Sequence, residues 1–167
     1  MGLFNSARKK SYNNGWYYGE FNSIGDRHGY GEYYWNYGDW YKGEWFYDVR
    51  TGRGEYHFKN GEVYIGQFRD DKRNGFGEYH YANGNRYVGN YVNNDKVGDG
   101  TFYYADGSKI IGVFARGEPA YGTLYWPNGE YCKGYFINWH LHGECYYTKN
   151  GVTYKVLYDN GKFIRYL

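Results

Sequence analysis

Residues 41–61 read YKGEWFYDVRTGRGEYHFKNG, and this stretch decides the fold. Within residues 41–45, rings and glycine alternate with charged residues, and a period of two residues is typical of a β-strand. Residues 52–58 alternate in the same way after a short polar turn. Two alternating runs joined by a short turn predict a β-hairpin.

The hairpin pattern recurs along most of the chain. Most copies are 23 residues apart, whereas the first spacing is 24 and the last ones are 22. A glycine in the first strand recurs at Gly19, Gly43, Gly66, Gly89, Gly112 and Gly134. A Gly-x-Gly pair opens the second strand at Gly29/Gly31, Gly52/Gly54, Gly75/Gly77 and Gly98/Gly100, and survives in part at Gly122 and Gly143. A turn glycine closes the copies at Gly38, Gly61, Gly84, Gly107, Gly129 and Gly151. Glycine columns that keep one period predict a repeat architecture.

This spacing resembles the MORN repeat, whose pattern is Tyr-x-Gly-x-aromatic, a polar turn, Gly-x-Gly and a closing Gly. The resemblance covers about residues 15–158. It divides the chain into a basic N-terminal segment (1–14), six repeats (15–151) and a degenerate seventh repeat or capping hairpin (152–167). Terminal repeats often depart from the consensus because they cap the array. The implied fold is all-β: an elongated, single-layer, twisted antiparallel sheet of consecutive β-hairpins, with about fourteen strands and a length on the order of 60 Å.

The composition suits such a sheet. The chain of 167 residues contains 27 glycines and 26 tyrosines, so large rings can lie across columns of glycine. Its formal net charge of +2 does not by itself indicate a nucleic-acid partner, and we expect none. No apolar run is long enough to cross a bilayer and no secretory signal is evident, so we expect a protein that is not secreted. Cys132 and Cys145 are interpreted as reduced residues in repeat positions, with a cross-strand disulfide as the alternative.

The N-terminal residues fit a lipid anchor. Gly2 followed by Ser6 matches the N-myristoylation pattern, although so short a motif also occurs in ordinary N-termini. Arg8, Lys9 and Lys10 follow directly, and a basic cluster supplies the second signal that a single acyl chain needs for stable membrane binding.

A basic column runs through the repeats two residues before each Gly-x-Gly. Its members are Arg27, Arg50, Arg73 and Lys96. Such a ladder is suited to anionic lipid heads or an acidic partner. The alternative is that these cations pair with neighbouring aspartates, as exposed charges commonly do.

The acidic and histidine residues do not predict an enzyme. Glu44 and Glu55 are candidates for a glycosidase-like carboxylate pair, but an open sheet supplies no water-excluding pocket. His57 and His80 occupy equivalent positions about 10 Å apart, too far to share one zinc ion. We therefore expect no catalytic activity, no metal site and no cofactor.

The most specific prediction is an aromatic–glycine groove that holds a peptide or helix of a protein partner. Rigid aromatic side chains bury a large area at low entropic cost. The predicted anchors are Tyr41, Trp45, Tyr64, Phe68, Tyr87 and Tyr91. The resemblance implies a cytoplasmic scaffold or adaptor at a cytoskeletal, ciliary or membrane–cytoskeleton site. The second interpretation is a membrane-tethered binder of anionic phospholipid that uses acylated Gly2 and the basic column.

The second half of the chain differs on the sheet face opposite the glycine column. That face carries Val88, Tyr103, Ile111, Val113, Tyr121, Tyr125, Tyr135 and Tyr146. An apolar second face is expected to bind a partner, to self-associate or to lie under the N-terminal segment. The last strand, residues 162–166, is an edge that predicts a homodimer by strand pairing.

Overall fold

The computed structural model describes residues 5–167, with side chains from residue 7 onward. Within this range the chain forms fifteen antiparallel β-strands in chain order and no helix. The predicted fold class, an all-β sheet of consecutive hairpins, is confirmed. The chain divides into two compact units, residues 1–82 and 83–167.

Each unit is a meander in which consecutive strands pair. The strands of unit 1 are β1 (Asn5–Tyr12), β2 (Gly15–Phe21), β3 (Arg27–Trp35), β4 (Trp40–Phe46), β5 (Val49–His57), β6 (Val63–Arg69) and β7 (Lys72–His80). The strands of unit 2 are β8 (Arg86–Val92), β9 (Asp95–Tyr103), β10 (Lys109–Ala115), β11 (Glu118–Tyr125), β12 (Tyr131–Ile137), β13 (His140–Lys149), β14 (Val152–Asp159) and β15 (Lys162–Tyr166). β1 was not predicted as a strand, since its basic residues carry no hydrophobic alternation; it pairs with β2 from Asn5 to Tyr12.

Tight two-residue turns join the strands within a repeat. Both residues of the β4–β5 turn, Tyr47 and Asp48, have left-handed φ angles of 48° and 67°. Asp70 and Asp71 repeat this geometry at 52° and 63° in the β6–β7 turn. Turns with two left-handed residues match the right-handed twist of the strands, and aspartate tolerates this conformation. The short polar turn of each repeat is therefore a hairpin turn.

The second glycine of each Gly-x-Gly leaves room for a tyrosine ring. Gly54 pairs directly with Gly43 across β4 and β5. A Cβ atom on Gly54 would lie 2.5 Å from the hydroxyl oxygen of Tyr41, so the ring occupies the space of the missing side chain. The Tyr41 hydroxyl donates a hydrogen bond of 3.0 Å to the carbonyl oxygen of Glu44. The same bond recurs for Tyr17, Tyr64 and Tyr87.

The first glycine of the pair forms a β-bulge. Gly52 has a left-handed φ of 56°, and the register of β4 and β5 shifts after Gly43. The freed backbone N–H of Arg53 donates to the carboxylate of Glu44 at 2.7 Å. Glycine adopts this conformation at no steric cost, whereas the carboxylate satisfies the amide that the ladder leaves unpaired.

The repeated tyrosines define one face of each sheet, here called the tyrosine face, and it carries the core. In unit 1 the ring of Tyr41 packs edge-on against Trp45 and Phe68, both at 5.2 Å between centroids. In unit 2, Tyr87 packs in the same way against Tyr91 at 5.4 Å. Edge-to-face geometry is favourable for aromatic pairs, so the rings themselves replace an aliphatic core.

Candidate functional site

The residues predicted as partner anchors lie inside their units. The exposed fractions are 0% for Tyr41, Tyr64 and Tyr87, 1% for Tyr91, 3% for Trp45 and 5% for Phe68. The glycine columns let these rings lie flat, and neighbouring rings then cover them. A period of two residues shows on which face of the sheet a side chain lies but not how deeply it is buried. The sequence therefore predicted these six residues at the surface of a groove.

Of these anchors, Trp45 lines an open groove on the tyrosine face of unit 1. The groove has a volume of about 350 Å³. Its lining combines the rings of Tyr12, Tyr33, Trp35 and Trp45 with the polar side chains of Asn14, Arg27, Asp48, Arg50 and Asp71. The indole N–H of Trp45 donates to the carbonyl oxygen of Gly31 at 3.1 Å. Trp35 remains partly exposed and packs at 4.6 Å from the ring of Tyr33. The groove therefore offers a fixed aromatic floor with an accessible indole.

A tyrosine hydroxyl in this groove is left without a partner by the described residues. The hydroxyl oxygen of Tyr12 is buried and makes no hydrogen bond within the described part of the chain. Buried hydroxyls in proteins are nearly always hydrogen-bonded, so this atom is an exception. It has no exposed surface, so a ligand that lies in the open groove does not contact it.

Sequence reasoning missed Tyr12 and Trp35. Trp35 continues the alternation Gly31, Tyr33, Trp35, so a longer reading of the period would have found it. Tyr12 precedes the first repeat, and its position depends on the pairing of β1 with β2, for which the sequence gives no signal.

The basic column ties consecutive repeats together. The Arg27 guanidinium donates two hydrogen bonds to Asp48. Its Nε donates to the carboxylate at 2.8 Å, and its Nη2 donates to the backbone carbonyl oxygen at 2.9 Å. The guanidinium also lies 4.3 Å from the ring centre of Trp45. Arg50 makes the same contacts with Asp71, at 2.8 and 3.0 Å. Both arginine side chains are only 18% exposed.

The other members of the column also contact aromatic rings. The Arg73 guanidinium lies 5.2 Å from the ring centre of Tyr79. In unit 2, the Lys96 ammonium lies 5.1 Å from the ring centre of Trp139 and donates to the Gly117 carbonyl oxygen at 3.5 Å. The geometry thus favours the interpretation in which the column pairs with neighbouring groups.

The Arg27 contact also changes the acidity of its partner. Burial opposes ionisation of the Asp48 carboxyl, but the hydrogen bonds and charge of Arg27 outweigh it and lower the pKa of Asp48 below its usual value. The pair is therefore fully charged at neutral pH.

The predicted membrane anchor is described only in part. Gly2 lies outside the described residues. Arg8, Lys9 and Lys10 lie on β1, where their side chains are exposed and cover aromatic rings. The Lys9 ammonium lies 4.2 Å from Trp16, and the Arg8 guanidinium 4.7 Å from Phe21. No helix in the described chain is both long and apolar enough to span a membrane.

The carboxylate pair considered for an enzyme does not form. Glu55 lies opposite Lys42, and Glu44 lies opposite Thr51 beyond the bulge. His57 contacts Glu55 at 3.4 Å. Among the described residues, no group of three or more His, Cys, Asp or Glu side chains is arranged to hold a metal ion.

In one hairpin of unit 2, two cysteines replace the tyrosine and the glycine that pack together in other repeats. Cys132 stands where other repeats have the tyrosine, and Cys145 where they have the second glycine. Both are buried free thiols. A hydrogen bond with Cys145 and burial raise the pKa of Cys132, which keeps its thiol protonated. A Cβ atom on Gly134 would lie 2.6 Å from the sulfur of Cys145, so sulfur fills the space that a ring fills elsewhere.

A second concavity of about 500 Å³ lies near the C-terminal hairpin of unit 2. Its lining includes Trp126, Tyr147, Tyr158 and Phe163. Its carboxylate, Glu130, already accepts a hydrogen bond of 2.6 Å from Tyr147, which lowers the pKa of Glu130. The polar group of this concavity is therefore already engaged by a side chain of the same unit.

The repeat pattern and the tyrosine-over-glycine geometry agree with the comparison to known families. The family model of the MORN repeat matches residues 17–40, 41–63, 64–86, 87–109 and 121–131, which together exceed half of the chain. This chain belongs to the MORN repeat family. Five repeats are matched where the sequence predicted six and a degenerate seventh. The hairpins beyond residue 131 depart from the consensus at Cys132, Cys145 and Val156.

Three solved structures resemble the chain weakly, and no curated protein matches it. The TCP domain of SAS-4 (dCPAP) of Drosophila melanogaster, in complex with a proline-rich motif of Ana2 (dSTIL), is 16% identical with a TM-score of 0.42, over 75% of this chain and 87% of that chain. A mutant TCP10 domain of Danio rerio CPAP is 12% identical with a TM-score of 0.33, over 99% of each chain. The wild-type domain is 14% identical with a TM-score of 0.25, over 96% of this chain and 99% of that chain.

Proposed function

We propose that this MORN-repeat protein is a non-enzymatic scaffold that binds a peptide or helix of a protein partner in the groove of unit 1. We also propose that the protein works in the cytoplasm, at a cytoskeletal, ciliary or membrane–cytoskeleton site, because its resemblance to the MORN family implies such a location. Family membership supports the scaffold role, since MORN repeats serve as non-catalytic interaction modules.

The observation that carries the proposal is the open groove of unit 1, in which the partly exposed indole of Trp35 lies beside the ring of Tyr33. A peptide supplies apolar side chains to cover Trp35. Its backbone groups can also contact the charged side chains that line the same groove.

The lipid-tethered interpretation remains the alternative. It uses acylated Gly2 with Arg8, Lys9 and Lys10, whose side chains are exposed on β1. The basic column is a weaker candidate for lipid contact, since Arg27 and Arg50 already bind aspartates. A homodimer through the edge of β15 is also a proposal; Lys162 and Arg165 on this exposed strand oppose close pairing of two copies.

The test compares variants, each of which removes a feature that only one of the two interpretations requires. Trp35→Ala removes a groove contact, Gly2→Ala removes the acylation site, and Tyr18→Ala is the control on the other face of the sheet. Partner capture from the native source should fall for Trp35→Ala and persist for Gly2→Ala and Tyr18→Ala. Loss of membrane partition in Gly2→Ala with unchanged capture by Trp35→Ala would instead support the tether. Trp35 is preferable to the buried Trp45 and Tyr64, whose truncation would also unfold the unit.

A further inference from the structure

The face of unit 2 opposite its tyrosine face exposes a group of rings. Tyr135 is 64% exposed, Tyr146 is 55% exposed and Tyr121 is 37% exposed. Tyr121 and Tyr135 are direct partners across β11 and β12, with 4.8 Å between ring centroids. Tyr146 lies opposite Lys133 on the next strand pair. The three exposed rings therefore lie on one face of three consecutive strands.

Cations lie among these rings. The Lys133 ammonium lies 5.8 Å from the ring centre of Tyr121, and the Lys109 ammonium lies 5.4 Å from that of Tyr125. The Arg86 guanidinium lies 4.3 Å from the ring of Tyr103 on the same face. Lysine at this distance keeps its charge at the surface while its stem covers the ring. Tyr121, Tyr135, Tyr146, Lys109 and Lys133 are here called the tyrosine–lysine patch.

Equivalent positions in unit 1 have the opposite character. The residue after the second glycine of each pair is Glu32, Glu55 and Glu78 in unit 1. In unit 2 the corresponding residues are Thr101, Thr123 and Tyr146. The residue before the repeated tyrosine position is Trp16, Trp40 or Val63 in unit 1 and Arg86, Lys109 or Tyr131 in unit 2. At these positions unit 2 therefore has hydroxyls, rings and cations where unit 1 has carboxylates and apolar side chains.

Carboxylates also lie on this face. Glu144 lies two residues before Tyr146 on the same face of β13 and forms an ion pair with Lys155 at 2.7 Å. Asp99 lies opposite Val113 on the neighbouring strand pair. His142, opposite Tyr135, contacts Asp159 at 3.3 Å. Glu144 and Asp159 are therefore engaged by neighbouring side chains, whereas Lys109 and Lys133 lie over rings of this face.

We propose that the tyrosine–lysine patch binds single-stranded nucleic acid without sequence preference. A surface of exposed rings and interleaved cations stacks bases and contacts phosphates, whereas an acidic peptide would use only the cations. The formal charge does not mark this patch, because residues 83–167 contain nine Lys or Arg and seven Asp or Glu residues. The proposal goes beyond partner binding and concerns another unit and another face.

The test is fluorescence anisotropy with labelled twelve-nucleotide oligo(dT) and oligo(U) at two salt concentrations. Wild type should bind, and a Tyr135→Ala/Tyr146→Ala variant should bind at least tenfold more weakly, since removing one base–ring stack weakens binding about fivefold or more. The matched control is Tyr18→Ala/Tyr30→Ala, which removes two rings, each 50% exposed, from the corresponding face of unit 1. The control should bind like wild type. Circular dichroism checks the fold of both variants.

A charge variant tests the interaction with phosphates separately. Lys133→Glu should weaken binding and reduce the slope of log K against log salt by about 0.7 for each phosphate that the protein no longer neutralises. Absence of binding by wild type, or equal weakening in the Tyr18→Ala/Tyr30→Ala control, would overturn the proposal. Tighter binding of a polyglutamate peptide or of phosphatidylserine vesicles than of either oligonucleotide would also overturn it.

Discussion

Gly54 lies beneath the ring of Tyr41, and its lack of a side chain is a packing requirement. A methyl group there would lie 2.5 Å from the hydroxyl oxygen and 2.6 Å from Cζ of that ring. Gly54→Ala should therefore lower the free energy of unfolding by about 1–3 kcal/mol, the usual cost of overpacking. Urea unfolding measures this change. A decrease below about 0.5 kcal/mol, the size of an ordinary surface substitution, would show that the ring moves aside easily.

The sequence predicted on which face of the sheet these residues lie, but it did not predict how deeply they are buried. Alternation assigned Tyr41 and Gly43 to one face, as the structure has them. The covering of Tyr41 by Phe68 depends on which strands become neighbours and how their side chains lean, so a buried anchor looked like a surface one. The burial of the Tyr12 hydroxyl could not be predicted from the pattern for the same reason.

The cysteines offer a second residue-scale prediction, since they replace a tyrosine–glycine pair with two small side chains. Cys132→Tyr alone should destabilise unit 2, because the new ring meets the side chain of Cys145. Cys132→Tyr/Cys145→Gly restores the arrangement of the other repeats and should recover stability, with a coupling energy of about 0.5–3 kcal/mol. A double-mutant cycle by urea unfolding measures this coupling. Additive effects would mean that the two positions do not share one space.

At the scale of elements, the Arg27–Asp48 pair joins β3 to the β4–β5 turn. Asp48 titrates near its ordinary pKa of about 3.9 when unfolded and lower when folded. The stabilisation is therefore complete above about pH 4 and is lost as the pH falls through the lower folded pKa. Because the carboxylate side chain is 46% exposed, we expect a contribution of about 0.5–1 kcal/mol at most.

Asp48→Asn tests this pair. Its urea midpoint should be below that of wild type at pH 7, and the difference should shrink at pH 3. Asp70→Asn is the matched control, since Asp70 is also an exposed left-handed turn aspartate. The control should follow the wild-type pH dependence. An equal loss in both variants would assign the effect to the turn rather than to the ion pair.

The hairpins were predictable because turn chemistry and alternation agree in every repeat. β1 was not, because its residues Arg8, Lys9 and Lys10 favoured an anchor outside the repeats. Pairing with β2 and cation–ring contacts hold this strand. The sequence gives charge and polarity, but only the register shows that these cations cover rings.

At the scale of the molecule, the same repeat supplies surfaces of different character. The tyrosine face of unit 1 carries an open groove lined by Trp35, Trp45 and charged side chains. The other face of unit 2 carries exposed tyrosines among lysines. Glycine and tyrosine at fixed positions maintain the sheet, so the intervening positions are free to vary for binding.

The most direct measurement of the scaffold proposal is site-specific photo-crosslinking in the native source. A photoreactive phenylalanine analogue replaces Trp35 in the groove in one variant and Tyr18 on the other face in a second. We expect position 35 to crosslink to a defined peptide segment of one protein, and position 18 to give no such product. Equal crosslinking from both positions, or crosslinking of position 35 to lipid alone, would contradict partner binding in the groove.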